Sequence, residues 1–190
     1  MLPSMTPPGG AGRRLTADDW VQAGFALLAD GGPNALRIDR LCARLDVTKG
    51  SFYWHFTDIS TYRAAVVGAW GSLLDQSRRP FEKMPDVAPR ERLEVMMRTM
   101  VAPDHFALER SMRVWAMTDE SVLAAVQRSD RRVQRAVWQA FLDYGFDPED
   151  AGLRAAVVFA TGLGLLHASA SAGDASPELL ERFLDFMFRQ

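Results

Sequence analysis

The feature that most constrains this chain is a punctuation repeated along its length: a polar or proline start, apolar residues three and four apart, then a glycine or proline stop. Thr16 with Asp19 three residues on has the form of a capping box, and Gly31-Gly32 closes the stretch in which Val21, Phe25 and Leu28 share a face. A second short stretch from about Arg37 sets Ile38, Leu41 and Leu45 on one stripe and ends at Asp46, and a third begins with Thr48 as its cap. Asp58 opens a long segment carrying Tyr62, Val66, Ala69, Trp70 and Leu73, with Pro80 as its expected end and 80–88 as a linker. Pro89, Thr118-Asp119-Glu120, Asp147-Pro148-Glu149 and Ser176-Pro177-Glu178 each read as a helix start, with Pro103 and Gly145 as stops. No stretch of useful length alternates apolar and polar residues as a half-buried strand does. The expectation is an all-α chain of about nine helices without internal repeat.

Composition adds limits. With 190 residues, 48% of them apolar, the chain can bury a core without a disulfide or metal staple, and its single cysteine, Cys42, cannot form an internal disulfide. The proline- and glycine-rich residues 1–13 read as a flexible arm with almost nothing to bury. Neither a signal-peptide core nor an apolar run of membrane-spanning length is present, so a cytoplasmic location and no membrane partner are expected. The three histidines, His55, His105 and His167, lack metal-ligand spacing, and Gly162-Leu163-Gly164 sits in an apolar helical stretch without the strand and third glycine of a dinucleotide loop. No catalytic residue, metal or cofactor is expected. A helical-bundle enzyme would need paired inward carboxylates or Glu-x-x-His repeats, and neither occurs.

The net charge of −2 hides a polarity, with nine Lys and Arg against seven Asp and Glu over residues 1–79, and thirteen against seventeen over 80–190. An anion-binding surface is therefore sought in the first half. There, residues 37–56, RIDRLCARLDVTKGSFYWHF, have the organisation of a helix-turn-helix. Cys42 is the small side chain where the two helices cross, Asp46 tolerates a left-handed turn, and Val47 plugs the turn into the core.

The Leu41-Cys42 pair, the run Asp46-Val47-Thr48-Lys49-Gly50-Ser51 and the ending Phe52-Tyr53-Trp54-His55-Phe56, followed by a polar turn and a long helix, resemble the tetracycline-repressor (TetR) family of transcriptional regulators over about residues 14–75. The resemblance implies a three-helix DNA-binding head over 14–75 and a helical effector-binding and dimerisation body over 76–190. By position, Thr48, Lys49, Ser51 and Trp54 would reach base edges or nearby phosphates, and Tyr53 and His55 the DNA backbone. Lys49 can donate to guanine, Ser51 can donate or accept, and Gly50 permits close approach. Arg37 stands where the family commonly has a capping Ser or Thr, but could meet phosphate by charge. Ile59 stands where a lysine often opens the fourth helix.

Large or adaptable side chains mark the body: Trp70, Leu74, Met96, Met100, Phe106, Met112, Trp115, Trp138 and Phe141 are the expected lining of a pocket for a hydrophobic or aromatic effector. The last two helices are apolar over arcs too wide for one core-facing stripe, and Phe159, Gly162, Leu163, Leu166, Leu180, Phe183, Leu184 and Met187 are expected to join two copies. A dimer is required physically, since one head reads too few base pairs to single out an operator. The function expected is an operator-binding repressor released by a small molecule. An activator or ligand-independent repressor would share the head, and an interaction adaptor would have lost DNA binding.

Overall fold

The computed structural model describes residues 14–82, 87–100, 103–168 and 176–189, with side chains described for 14–76, 87–99, 106–167 and 176–189. Residues 1–13, expected as an arm, and 83–86 of the expected linker lie outside these. Nine α-helices and one short 3-10 turn, Pro33–Ala35, make up the described structure: α1 Ala17–Gly31, α2 Ile38–Leu45, α3 Lys49–His55, α4 Ile59–Glu82, α5 Pro89–Met100, α6 Pro103–Ala116, α7 Glu120–Tyr144, α8 Pro148–Ala168 and α9 Pro177–Met187.

Most boundaries follow the chemistry of the caps. Thr16 and Asp19 form a reciprocal capping box at α1, Asp119 accepts from the backbone N–H groups of Ser121 and Val122, and Ser176 accepts from that of Leu179. Asp58 accepts from the Thr61 backbone N–H at 2.7 Å, and Asp147 from those of Glu149 and Asp150. Gly145 ends α7 at φ 112°, a left-handed conformation that glycine adopts without strain. Two expectations are corrected. Pro80 does not end α4, which continues to Glu82; so near the C-terminal end, a proline costs the helix one backbone donor and leaves most of its bonds intact. Thr48 precedes α3 in extended conformation without capping it through its side chain.

The buried apolar residues form two clusters. The first joins α1–α4 to α6 and the start of α7, around Trp20, Leu28, Phe52, Tyr62, Trp70, Met112 and Trp115. The second holds α5, the rest of α7, α8 and α9, around Leu93, Val137, Phe141, Ala155 and Leu184. Helix α7 runs through both: Val122 and Val126 belong to one, Val133 and Val137 to the other. Ion pairs brace the seams. Arg113 on α6, mostly buried, holds Glu109 at 2.8 Å and Asp130 of α7 at 2.6 Å, while Arg90 on α5 reaches Asp185 of α9 at 2.6 Å. Among the described residues, no helix is long and apolar enough to cross a membrane.

Candidate nucleic-acid interface

The turn between α2 and α3 depends on Asp46, whose φ of 54° and ψ of 49° reverse the chain in the left-handed region. The Val47 backbone N–H then donates to the Cys42 carbonyl at 3.0 Å, and half-buried Val47 packs on the first cluster. With the turn closed, α3 divides into two faces. Phe52, fully buried, meets Trp20 edge-on at 5.4 Å and Tyr62 at 5.6 Å, while Phe56 meets Tyr62 at 5.0 Å. Tyr62 itself donates its hydroxyl to the Trp20 carbonyl at 2.8 Å, and burial pushes its phenol pKa up. This aromatic wedge fixes α3 against α1 and α4.

The outer face holds the residues expected to meet DNA. Thr48, Lys49 and Gly50 are exposed at its start, Ser51 is half-buried, and Tyr53 and Trp54 stand 56% and 70% exposed. His55 is half-buried, its ring 6.3 Å from those of Trp20 and Phe56. Seven of the eight expected residues thus lie on one short segment. Arg37 is the exception in kind: it precedes α2 and donates from Nε to Asp39 at 3.2 Å, so its charge has a carboxylate beside it. Ile59 packs on the head core, which explains an apolar residue there. One neighbour was not foreseen: the Arg14 guanidinium lies 4.7 Å over the Trp54 ring, an interaction between a loop and a helix that no periodicity signals.

Behind the head, α5–α8 surround a small cavity of about 30 Å³ lined by Leu93, Met96, Met97, Phe106, Val133, Val137, Val158, Phe159, Gly162, Leu165 and Leu166. Of the side chains expected to bind an effector, Met96 and Phe106 line it. Trp70, Leu74, Met112 and Trp115 are instead buried in the first cluster, because α4 and α6 turn those faces toward the head. Phe141 fills the second cluster against Phe146 and Phe188, and Trp138 projects outward, its indole donating to the Pro148 carbonyl at 3.3 Å. The Met100 side chain lies outside the described ones. The expected dimer residues also divide. Half-buried Phe159 and Gly162 and buried Leu166 line the cavity, and Leu184 and Met187 are buried in their own subunit. Leu163, Leu180 and Phe183 are half-buried. The exposed apolar residues are Leu153, Ala156, Val157, Ala160 and Gly164 on α8, and Leu179 and Phe186 on α9. Among the described residues, no cluster of His, Cys, Asp and Glu could hold a metal ion.

Comparison with known proteins agrees with this geometry. Residues 21–60, from within α1 to the start of α4, match the sequence model of bacterial regulatory proteins, tetR family. No curated protein matches the chain in sequence. Solved structures share its fold at low identity. A transcriptional regulator from Rhodococcus sp. Rha1 is 20% identical with a TM-score of 0.73, over 92% of this chain and 94% of that one. GusR of Salmonella enterica is 17% identical with a TM-score of 0.69, over 92% and 97%. A TetR transcriptional regulator from Legionella pneumophila is 13% identical with a TM-score of 0.69, over 93% and 97%. Over residues 21–60 the chain thus matches the helix-turn-helix region of the tetR family of bacterial regulatory proteins, and over its length it shares the fold of these solved regulators.

Proposed function

We propose that this protein is a transcriptional repressor that holds its operator as a homodimer and releases it when a small, uncharged, mainly apolar molecule enters the cavity walled by α5–α8. The head, residues 14–75, makes the DNA contact, and residues 76–190 carry effector and partner binding. The observation that carries the reading is the division of α3: an inner edge sealed by Phe52, and an outer edge where Thr48, Lys49, Gly50, Tyr53 and Trp54 stand free for a major groove. Two copies meet through the exposed apolar residues of α8 and α9.

The cavity supports the effector class. Its wall has no charged side chain, and its volume, about 30 Å³, is far below the several hundred Å³ of a typical ligand site. An effector must therefore push helices apart. Phe106 forms part of that wall on α6, and five residues on, Ser111 donates to the Leu28 carbonyl of α1 at 2.7 Å. Displacement of α6 at the cavity thus reaches the head through one rigid helix.

The test is footprinting on the DNA flanking the gene. Wild type protects a two-fold site, and Lys49→Ala and Ser51→Ala each weaken it about tenfold or more while melting as wild type does. Lys49→Ala also lowers the salt dependence of binding. A Lys49→Ala/Ser51→Ala double variant that holds the site as tightly as wild type refutes the assignment of α3.

A further inference from the structure

We propose a second ligand site, a cationic groove between α4 and α7 that takes a small polyanion carrying two or more carboxylate or phosphate groups. The groove, about 300 Å³, shares no lining residue with the apolar cavity. One wall is α7, where Arg128, Arg131, Arg132 and Arg135 recur at helical spacing; the other is α4, where Gly68 and Gly71 stand opposite.

Three observations point to a ligand. First, three of the four arginines have no ion-pair partner among the described residues. Arg132 pairs with Asp75 of α4, the one carboxylate among the described residues that line the groove. Arg128, Arg131 and Arg135 are exposed and have no ion-pair partner among the described residues, whereas Arg90, Arg92, Arg98, Arg113 and Arg154 each have one. This occurs in the acidic half of the chain. Second, the arginines are like-charged neighbours three and four residues apart on one helix, an arrangement that destabilises an isolated helix unless an anion lies among them. Third, the glycines make room. A Cβ built at Gly68 or Gly71 meets nothing within 4 Å, so no close helix contact explains them; they leave space beneath the guanidinium groups. Planar guanidinium forks bind carboxylate and phosphate in pairs, which selects an oxyanion over halide.

Asp75 gives the site a consequence. An anion in the groove competes with it for Arg132, and Asp75 belongs to the helix that leads directly from α3. Anion binding therefore loosens the tie between α4 and α7. The proposal goes beyond the repressor reading and stands without it, because it is tested by binding to the free protein.

The experiment is calorimetric titration of the full chain with pyrophosphate and, separately, citrate; the tighter of the two assigns the oxyacid class. One-site saturable binding is expected. It should weaken about tenfold or more in Arg131→Gln/Arg135→Gln, stay unchanged in Arg110→Gln, an exposed arginine on α6, and tighten in Asp75→Asn, which removes the competing carboxylate. Gly71→Leu should abolish binding by filling the groove while melting no lower than wild type, since leucine is the better helix former. Absence of saturable binding by both anions overturns the proposal. So does equal weakening by Arg110→Gln, which makes the attraction a diffuse charge effect. Capture of duplex DNA of unrelated sequence through these arginines, without binding of either small anion, also overturns it.

Discussion

Replacing Gly24 by alanine probes the aromatic wedge that aims α3. A Cβ there would lie 2.1 Å from the Tyr62 hydroxyl oxygen, and 3.2 Å from both Tyr62 Cζ and Val66 Cγ2. Tyr62 has no free direction in which to yield: it is fully buried, hydrogen-bonded to the Trp20 carbonyl, and edged by Phe52 and Phe56. Ordinary contact begins near 3.5 Å, so α1 and α4 must part by about 1.4 Å or the ring must leave its place. Overpacking of this kind costs about 1–3 kcal/mol. Loss of the Tyr62 hydrogen bond adds about 1 kcal/mol. Alanine returns about 1 kcal/mol of helix propensity, which leaves Gly24→Ala destabilised by about 2 kcal/mol. Tyr62→Phe alone costs about 1 kcal/mol, since the Trp20 carbonyl keeps its helical bond. In Gly24→Ala/Tyr62→Phe the atom at 2.1 Å is gone, so the double variant should be more stable than the sum of the two losses by about 1–2 kcal/mol. Urea unfolding followed by far-ultraviolet circular dichroism measures all four corners of the cycle. Additivity, or a Gly24→Ala midpoint equal to wild type, would show that the packing of α1 on α4 is not as described.

Asp46→Ala should destabilise the head by about 1 kcal/mol because alanine resists the left-handed region, while Asp46→Gly stays near wild type; both remove the carboxylate, so urea midpoints isolate the backbone effect. Arg113→Ala should cost about 3–5 kcal/mol, since it strands buried Glu109 without its cation, and Glu109→Gln in the same chain should recover part of the loss. The Thr61 backbone N–H and then its hydroxyl hold Asp58 below the usual carboxylate range, and the Ser121 hydroxyl leads the same effect at Asp119. Because both pKa values are depressed by folding, their contribution is fully present above about pH 4 and lost as pH falls through the lower folded values. A Asp58→Ala/Asp119→Ala chain should therefore show a flatter stability profile below that pH than wild type does.

The boundaries legible in the sequence are those made by local chemistry. A cap needs only a side-chain oxygen and an N–H two or three residues away, so Thr16, Asp119, Asp147 and Ser176 announce helices wherever these later pack. The outer face of α3 was legible for a similar reason: its motif is contiguous, and a seven-residue helix has one inner edge, set by Phe52. The cavity was not, because helical spacing says which residues turn inward and not which helix they meet. Trp70 and Met112 turn inward as expected, but toward the head; Phe159 and Gly162 do so toward α5–α7. That Trp138 lies away from this cavity follows from period alone. Val133, Val137 and Phe141 define the inward stripe of α7, and a residue adjacent to Val137 is rotated about 100° from it.

The two clusters bear on how a signal could cross the molecule. Among the described residues none belongs to both, and the helices that span the division are α6, with Phe106 at the cavity and Trp115 in the head core, and α7, with Val137 at the cavity and Val126 in the head core. Close-packed interiors shift as units instead of deforming smoothly, so a molecule that widens the cavity moves the ends of these two helices beneath α1 and α4. Under the proposed repressor reading, switching requires that the effector bind the widened state better by the free energy that operator binding loses, typically about 1–3 kcal/mol. The buried Arg113 network lies on this route, since it ties α6 to α7 between cavity and head. If the two helices travel together, weakening that tie through Asp130→Asn should reduce the coupling between effector and operator while leaving each binding step intact. Competition of effector against operator, measured with wild type and Asp130→Asn, would read the difference directly, and equal coupling in the two would place the route elsewhere.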